Sequence, residues 1–249
     1  MIKQQLLSTG LALLLASSLP FTALADTTDT TVSIRDGSDH TIGSIDYTNT
    51  NYALDVHGNG TNVTVDRNVK SDNGYGITAG DNSTTTVKGD LSANRVAINA
   101  GGEAEVTIDG DVRGTGSTSN TIEVGGKTDI TVKGDVIAED TSAIRTDQEA
   151  NVTVDGSIKA GNGGISAWGY GEDGKNNTSL TVGKDVDGSR SGIDATNGAD
   201  VKVGGNVSSG GTGVYAAVFD DIKDKDIKNN ILIGGDVNVT TKDGHYDYM

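Results

Sequence analysis

The fold class that this sequence predicts is all-β: a right-handed parallel β-helix, a solenoid with three short strands per coil and about nine coils of about 21–30 residues. Three observations carry it. One phrase is written five times, as Val63-Thr64-Val65, Val106-Thr107-Ile108, Ile130-Thr131-Val132, Val152-Thr153-Val154 and Leu180-Thr181-Val182. Each is closely followed by a Gly/Asp pair or a relative of it and then by Val or Ile. Apolar residues between the phrases fall in fixed columns. A phrase recurring at coil-length intervals marks one repeated structural unit, and the length of that unit decides the architecture.

Counted from the first apolar residue of each phrase, units begin at Val63, Thr85, Val106, Ile130, Val152, Leu180, Val201 and Ile231, at spacings of 22, 21, 24, 22, 28, 21 and 30 residues. An imperfect earlier unit is expected to start near Val32-Ser33-Ile34 and to end with Ala53-Leu54-Asp55-Val56. Within each unit three strand signals alternate inward and outward with period two. The first points inward in the column from Val65 through Val87 and Ile108 to Ile233. After a Gly-Asp corner the second points inward from Val69 through Leu91 and Val112 to Val237, with a small-residue column two positions on, as at Ser71, Ala93 and Gly114. The third runs from Ile77 through Ile98, Ile122, Ile144, Ile165 and Ile193 to Val214. Each coil alone buries little, so the core exists only by stacking. Nine coils at about 4.8 Å make a rod on the order of 43 Å long.

Around this repeat the chain divides as residues 1–25, 26–62, 63–239 and 240–249. Lys3, the apolar stretch Leu6 to Leu15 and the small-x-small site Ala23-Leu24-Ala25 read as a secretory signal, so the mature chain is expected to start near Asp26. Residues 26–62 read as an irregular or capping coil, and residues 240–249 as a tail. No later stretch reaches the roughly 20 apolar residues of a membrane span. Cysteine is absent, so an exported chain of this kind must be held by packing and hydrogen bonds. The net charge of -16 becomes -17 when Lys3 leaves with the signal, which argues against nucleic acid or anionic lipid as a partner.

The outward columns carry the candidates for function. Thr64, Thr86, Thr107, Thr131, Thr153 and Thr181 should stack into a ladder. An ice-binding face would need a second Thr column on an uncharged strip, but the next outward column reads Asp66, Lys88, Asp109, Lys133, Asp155. That alternation of sign is expected to fix the register of the coils. The corner column, including Asp90, Asp111 and Asp135, follows Gly89, Gly110 and Gly134. Gly is expected to supply an unusual backbone there and Asx to bond the turn; the alternative is calcium bridging the stacked carboxylates of Asp90, Asp111 and Asp135. No other cofactor is expected.

Insertions in solenoids collect at turns and often carry binding. Residues 168–179 hold Trp168, the only tryptophan, with Tyr170, Glu172 and Asp173, a set that could stack on a sugar. Its structural alternative is an aromatic lid on the base of its own loop. Residues 217–230 hold Phe219 and Ile222 on one face of a short helix or charged loop that could cover a coil edge. The last coil, Ile231 to Val239, lacks a recognisable third strand. Its edge is expected to stay open unless Tyr246 and Tyr248 fold over it, which suggests truncation, further repeats in a partner or end-to-end self-association.

The repeat resembles the right-handed, pectin-lyase-like parallel β-helices, and more narrowly the passenger or adhesin regions of bacterial surface proteins, autotransporters included. The resemblance spans about Thr31 to Val239. Left-handed helices of the wider class repeat a strict hexapeptide, whereas these units run longer and vary at the turns. The resemblance implies a secreted or cell-surface structural or adhesive module whose partners are host or neighbouring-cell glycans or proteins. Lyases and hydrolases share the scaffold. Their chemistry needs Lys, Arg or His clustered with carboxylates, yet the arginines lie in different columns and His40, His57 and His245 are far apart in sequence. Gly163-Gly164-Ile165-Ser166-Ala167 imitates a serine nucleophile but is a third-strand repeat, with no histidine near it in the pattern. The expectation is therefore no catalysis, with a polysaccharide lyase or hydrolase as the alternative, and a calcium- or ice-binding solenoid as the second.

Overall fold

The computed structural model describes residues 30–169, 178–219 and 227–240, with the backbone of 13–14, 23–24 and 27–28. Every regular element among the described residues is a strand, and the strands form three parallel sheets of ten, the first of each a dipeptide. Strands three apart in the chain are neighbours in a sheet, which is the signature of a solenoid with three strands per coil. Eight complete coils stack from Asp39–Ile42, Ile45–Tyr47 and Tyr52–Val56 up to Asp200–Val203, Val207–Ser209 and Thr212–Ala217. An incomplete coil, Asn230–Ile233 and Val237–Val239, follows. No helix among the described residues is long and apolar enough to cross a membrane.

The columns read from the sequence are the observed register. Val87 pairs with Val65 and Ile108, Leu91 with Val69 and Val112, and Ile98 with Ile77 and Ile122. β-Branched side chains suit this, because each stacks on its own kind one rung away and fills the interior without a rotamer choice. Ile77, Ile98, Ile108, Ile122, Ile144 and Ile158 are fully buried. Burying each contributes about 1.5–3 kcal/mol relative to exposure. The small column is a fitting device: a side chain at Gly114 would overlap Thr121, which is itself fully buried.

The first coil departs from the expected reading. Val32–Ile34 does not open a unit; it lies in the third sheet, where Val32 and Ile34 pair with Leu54 and Val56. The phrase position belongs to Asp39–Ile42, with His40 beside Val63 and Ile42 beside Val65. Regular stacking thus begins before Val63, inside the segment expected to be irregular. The apolar pattern is broken there by a histidine, which is tolerated in the core wall because Asp36 faces its Nε2 at 3.0 and 3.1 Å. Burial works to raise the Asp36 pKa, but hydrogen bonds from His40 and Ser38 outweigh it and hold the carboxyl below its usual value.

Two of the three corners are built on different principles. Between the first and second sheets, inward residues are four apart in every unit from Val65–Val69 to Ile233–Val237. The Oδ1 of Asn68, Asp90, Asp111 and Asp135 accepts the backbone N–H of Asp90, Asp111, Asp135 and Ser157 respectively, at 2.8–2.9 Å. The ladder resumes from Asp185 to Asn206 and from Asn206 to Asp236. Gly89, Gly110, Gly134, Gly156 and Gly205 do not have the left-handed backbone expected of them. They are glycine for want of space: a Cβ at each would overlap the Oδ1 of the rung below. Left-handed residues sit instead at the corner between the third and first sheets, at Asp81, Asn82, Glu103, Gln148, Glu149 and Asn197. Both insertions leave from that corner.

Candidate binding face

The first sheet presents the two outward columns expected of it. Thr64, Thr86, Thr107, Thr131, Thr153 and Thr181 are in register, extended by Thr41 at one end and interrupted by Lys202 at the other. In the adjoining column Lys88 Nζ lies 2.7 Å from Asp66 and Lys133 Nζ 2.8 Å from Asp109. The hydrogen bond to Asp109, aided by the charges of Asp109 and Asp155, holds the Lys133 ammonium above its usual pKa. This strip is regular, charged and self-satisfied.

Asp90, Asp111 and Asp135 do stack, but each commits Oδ1 to a backbone N–H of the next rung. A calcium ion takes six to eight oxygens converging on one point, whereas these carboxylates point along a ladder. No three His, Cys, Asp or Glu side chains among the described residues are grouped to hold a metal ion.

The third sheet is different. Trp168, from the strand Gly163–Trp168, is exposed, and its Nε1 donates to Ser166 Oγ at 3.1 Å. Phe219, from the base of the second insertion, stands 6.5 Å away centroid to centroid and tilted by 46°. Arg145, one rung below Ser166, places its guanidinium 5.7 Å from the Trp168 ring and donates from Nε to Asp147 at 3.1 Å. Above Ser166 in the same column come Asp194 and then Tyr215. Tyr215, Phe219 and Trp168 are 47%, 43% and 38% exposed, so the Trp168–Phe219 pair at the corner and Tyr215 on the adjoining face of the third sheet all meet solvent in a chain poor in aromatics. Asp194 Oδ1 is buried and accepts no hydrogen bond, and burial raises its pKa.

The bases of both insertions are fixed. Phe219 N donates to Asn197 Oδ1 at 3.0 Å, Thr178 Oγ1 donates to the Trp168 carbonyl at 3.1 Å, and Asn229 Oδ1 accepts from Gly198 N and Ala199 N. Of the residues expected to bind, Trp168 is on this face, while Tyr170, Glu172 and Asp173 lie outside the described residues. Sequence reasoning missed Arg145, Asp194 and Tyr215. The signal was available, since all three occupy the outward position beside the Ile144, Ile193 and Val214 column.

A second cluster was also missed. His57 Nε2 lies 3.2 Å from Asp55 and its Nδ1 3.2 Å from Asp81, while Arg35 pairs with Asp55 at 2.7 Å. Arg35, the neighbouring pair Asp55 and His57, and Asp81 are separated by about one coil each, and stacking brings them together. Gly80 leaves the space that the imidazole occupies.

Comparison with family models, with curated proteins and with solved structures finds no match to this chain.

Proposed function

We propose that the chain is an exported, non-catalytic β-solenoid that acts as a structural and adhesive module, passenger-like, on or outside a bacterial cell. The observation that carries this reading is the aromatic corner of Trp168, Tyr215 and Phe219, exposed on a rod whose other described columns are mostly polar or charged. Solvent-exposed rings clustered at the base of turn insertions are what a recognition surface requires, because loops vary while the stacked scaffold holds them in place. The signal-like N-terminus and the acidic composition agree with display outside a cell. Glycans or proteins of a host or neighbouring cell are the partners.

The test is binding of the purified chain to cell surfaces and to a glycan panel, with Trp168→Ala and Phe219→Ala beside it. Saturable binding lost in both variants, at unchanged circular dichroism, is expected. Undiminished binding by the variants would move the adhesive surface elsewhere, and no binding to any surface would leave only a structural role.

The lyase or hydrolase alternative finds its footing at His57, where an imidazole, two carboxylates and Arg35 gather. Both ring nitrogens face carboxylates of the chain itself, so neither is turned toward a substrate. Incubation with polyuronates while following the ultraviolet absorbance of unsaturated products decides the point: product formation abolished by His57→Ala would establish the enzyme.

A further inference from the structure

With the aromatic corner read as the ligand face, on which this inference rests, its rings and charges select the kind of group it takes. We propose that Trp168, Tyr215, Phe219 and Asp194 form a site for an organic cation, an alkylated ammonium group held against the rings and beside the carboxylate.

Charge selects the class. Among the described residues, the ionisable side chains in this outward column and beside it are Glu123, Arg145, Asp147 and Asp194, three negative and one positive, and Arg145 is engaged by Asp147. An anionic ligand would be repelled here and by the net -16 of the whole chain. Asp194 is the one carboxylate among the described residues with an oxygen buried and unbonded, and no described cation is paired with it. A cation seated in front of the carboxylate offsets its charge without needing to reach that buried oxygen.

Geometry selects the shape. Asp194 is next to Tyr215 across one strand spacing, about 4.8 Å. It is diagonal to Trp168, whose own partner is Thr196, two residues from Asp194. Diagonal neighbours about 7–8 Å apart remain within reach of aromatic side chains. Thr196, between Trp168 and Ala217 in the ladder, is buried. The Trp168 ring already receives one cation, the Arg145 guanidinium at 5.7 Å. Aromatic faces attract ammonium groups through the ring quadrupole, most strongly where solvent is partly excluded.

Trp168 is the only tryptophan, so its fluorescence reports this site alone. Choline chloride is titrated against the full chain, with sodium chloride exchanged to hold ionic strength constant. A saturable change with Kd on the order of 1 mM is expected. Asp194→Asn should weaken it about tenfold, Tyr215→Leu should weaken it without altering circular dichroism, and neutral dimethylbutanol, the carbon analogue of choline, should bind at least tenfold more weakly. A response no different from that of sodium chloride overturns the proposal, as does equal binding of the alcohol or undiminished binding by Asp194→Asn. Surface binding that depends on Trp168 but is indifferent to choline would sink the cation site and leave the adhesive reading standing. Choline binding without surface binding would do the reverse.

Discussion

The corner between the first and second sheets and the corner between the third and first turn the same chain, rung after rung, yet only one tolerates change. At the first, four residues separate the inward positions of every unit from Val65 onward. At the other, the step from the third-strand residue to the next phrase is eight residues from Ile77 to Thr85, fifteen from Ile165 to Leu180 and seventeen from Val214 to Ile231. The difference lies in what each corner owes its neighbours. Each Asx side chain at the first corner reaches into the rung above, and each glycine is hemmed in by the rung below. Such a turn keeps its length, and it takes a side chain only where the rung below has serine instead of Asx, as at Arg67 above Ser44 and Lys184 above Ser157. The other corner is shaped by left-handed backbone, and its side-chain ties between rungs, such as Asp81 to His57 and Asn82 to Asn59, are particular to those coils rather than repeated up the rod, so length can be added at other rungs without disturbing the stack. Binding surface grows where the scaffold allows it, and Trp168 and Phe219 are found there.

The sharpest way to break this comparison is to place a methyl group on each corner. Gly134→Ala would force a Cβ into Asp111 Oδ1 and the Gly110 carbonyl. A loss of about 1–3 kcal/mol, in the range of an overpacked core, is expected from urea unfolding. Gly126→Ala meets no such obstruction and carries only the strain of its φ of 66°, about 1 kcal/mol. Equal losses would mean that backbone conformation rather than space selects glycine at both.

Removing the bond instead of the space comes next. Asp111→Ala deprives the Asp135 N–H of its acceptor, at about 1 kcal/mol because water reaches this corner. Glu103→Ala at the opposite corner removes a side chain with no described rung-to-rung bond and should change stability by less than about 0.5 kcal/mol. A cost at Glu103 matching that at Asp111 would erase the distinction between the corners.

These contrasts also mark what the sequence could reveal. The inward columns were legible because Val, Ile and Leu recur at fixed steps and register is decided by which face is buried. The first coil was misread where His40 stands in an apolar position, since a buried histidine sustained by Asp36 leaves no hydrophobic signal. The corner glycines were recognised but explained by φ, because crowding between rungs is invisible until the rungs are stacked. Trp168 was legible as the sole tryptophan, whereas Asp194 was one acidic residue among 35, and only its missing hydrogen bond distinguishes it.

Asp194 sharpens the comparison from the functional side, since a carboxylate retained at a cost to the fold implies another use. Burial raises its folded pKa above the unfolded value, so the native state binds the proton more tightly than the unfolded chain does. By linkage the penalty is full above the folded pKa, is relieved as pH falls through it, and is gone below the unfolded pKa. Asp194→Asn should therefore stabilise the protein at neutral pH by less than about 1 kcal/mol, because water still screens the half-exposed carboxylate, and the gain should vanish in acid. A variant no more stable than the parent at neutral pH would show that the carboxylate carries no strain to be explained.

The smallest effect belongs to the charged column beside the threonine ladder, where Asp66, Lys88, Asp109, Lys133 and Asp155 follow one another up the rod and the two lysines bond Asp66 and Asp109. Both ammonium groups are well exposed, so the contacts add little to stability and act mainly against slippage by one coil, which would bring like charges together. Replacing Lys88 and Lys133 with Glu stacks five carboxylates in sequence. Salt screens that repulsion over distances of about 10 Å at 0.1 M and about 3 Å at 1 M. The melting temperature should fall in low salt and recover most of the difference in high salt. A fall of equal size in both would show that the lysine stems, rather than their charges, hold this edge of the first sheet.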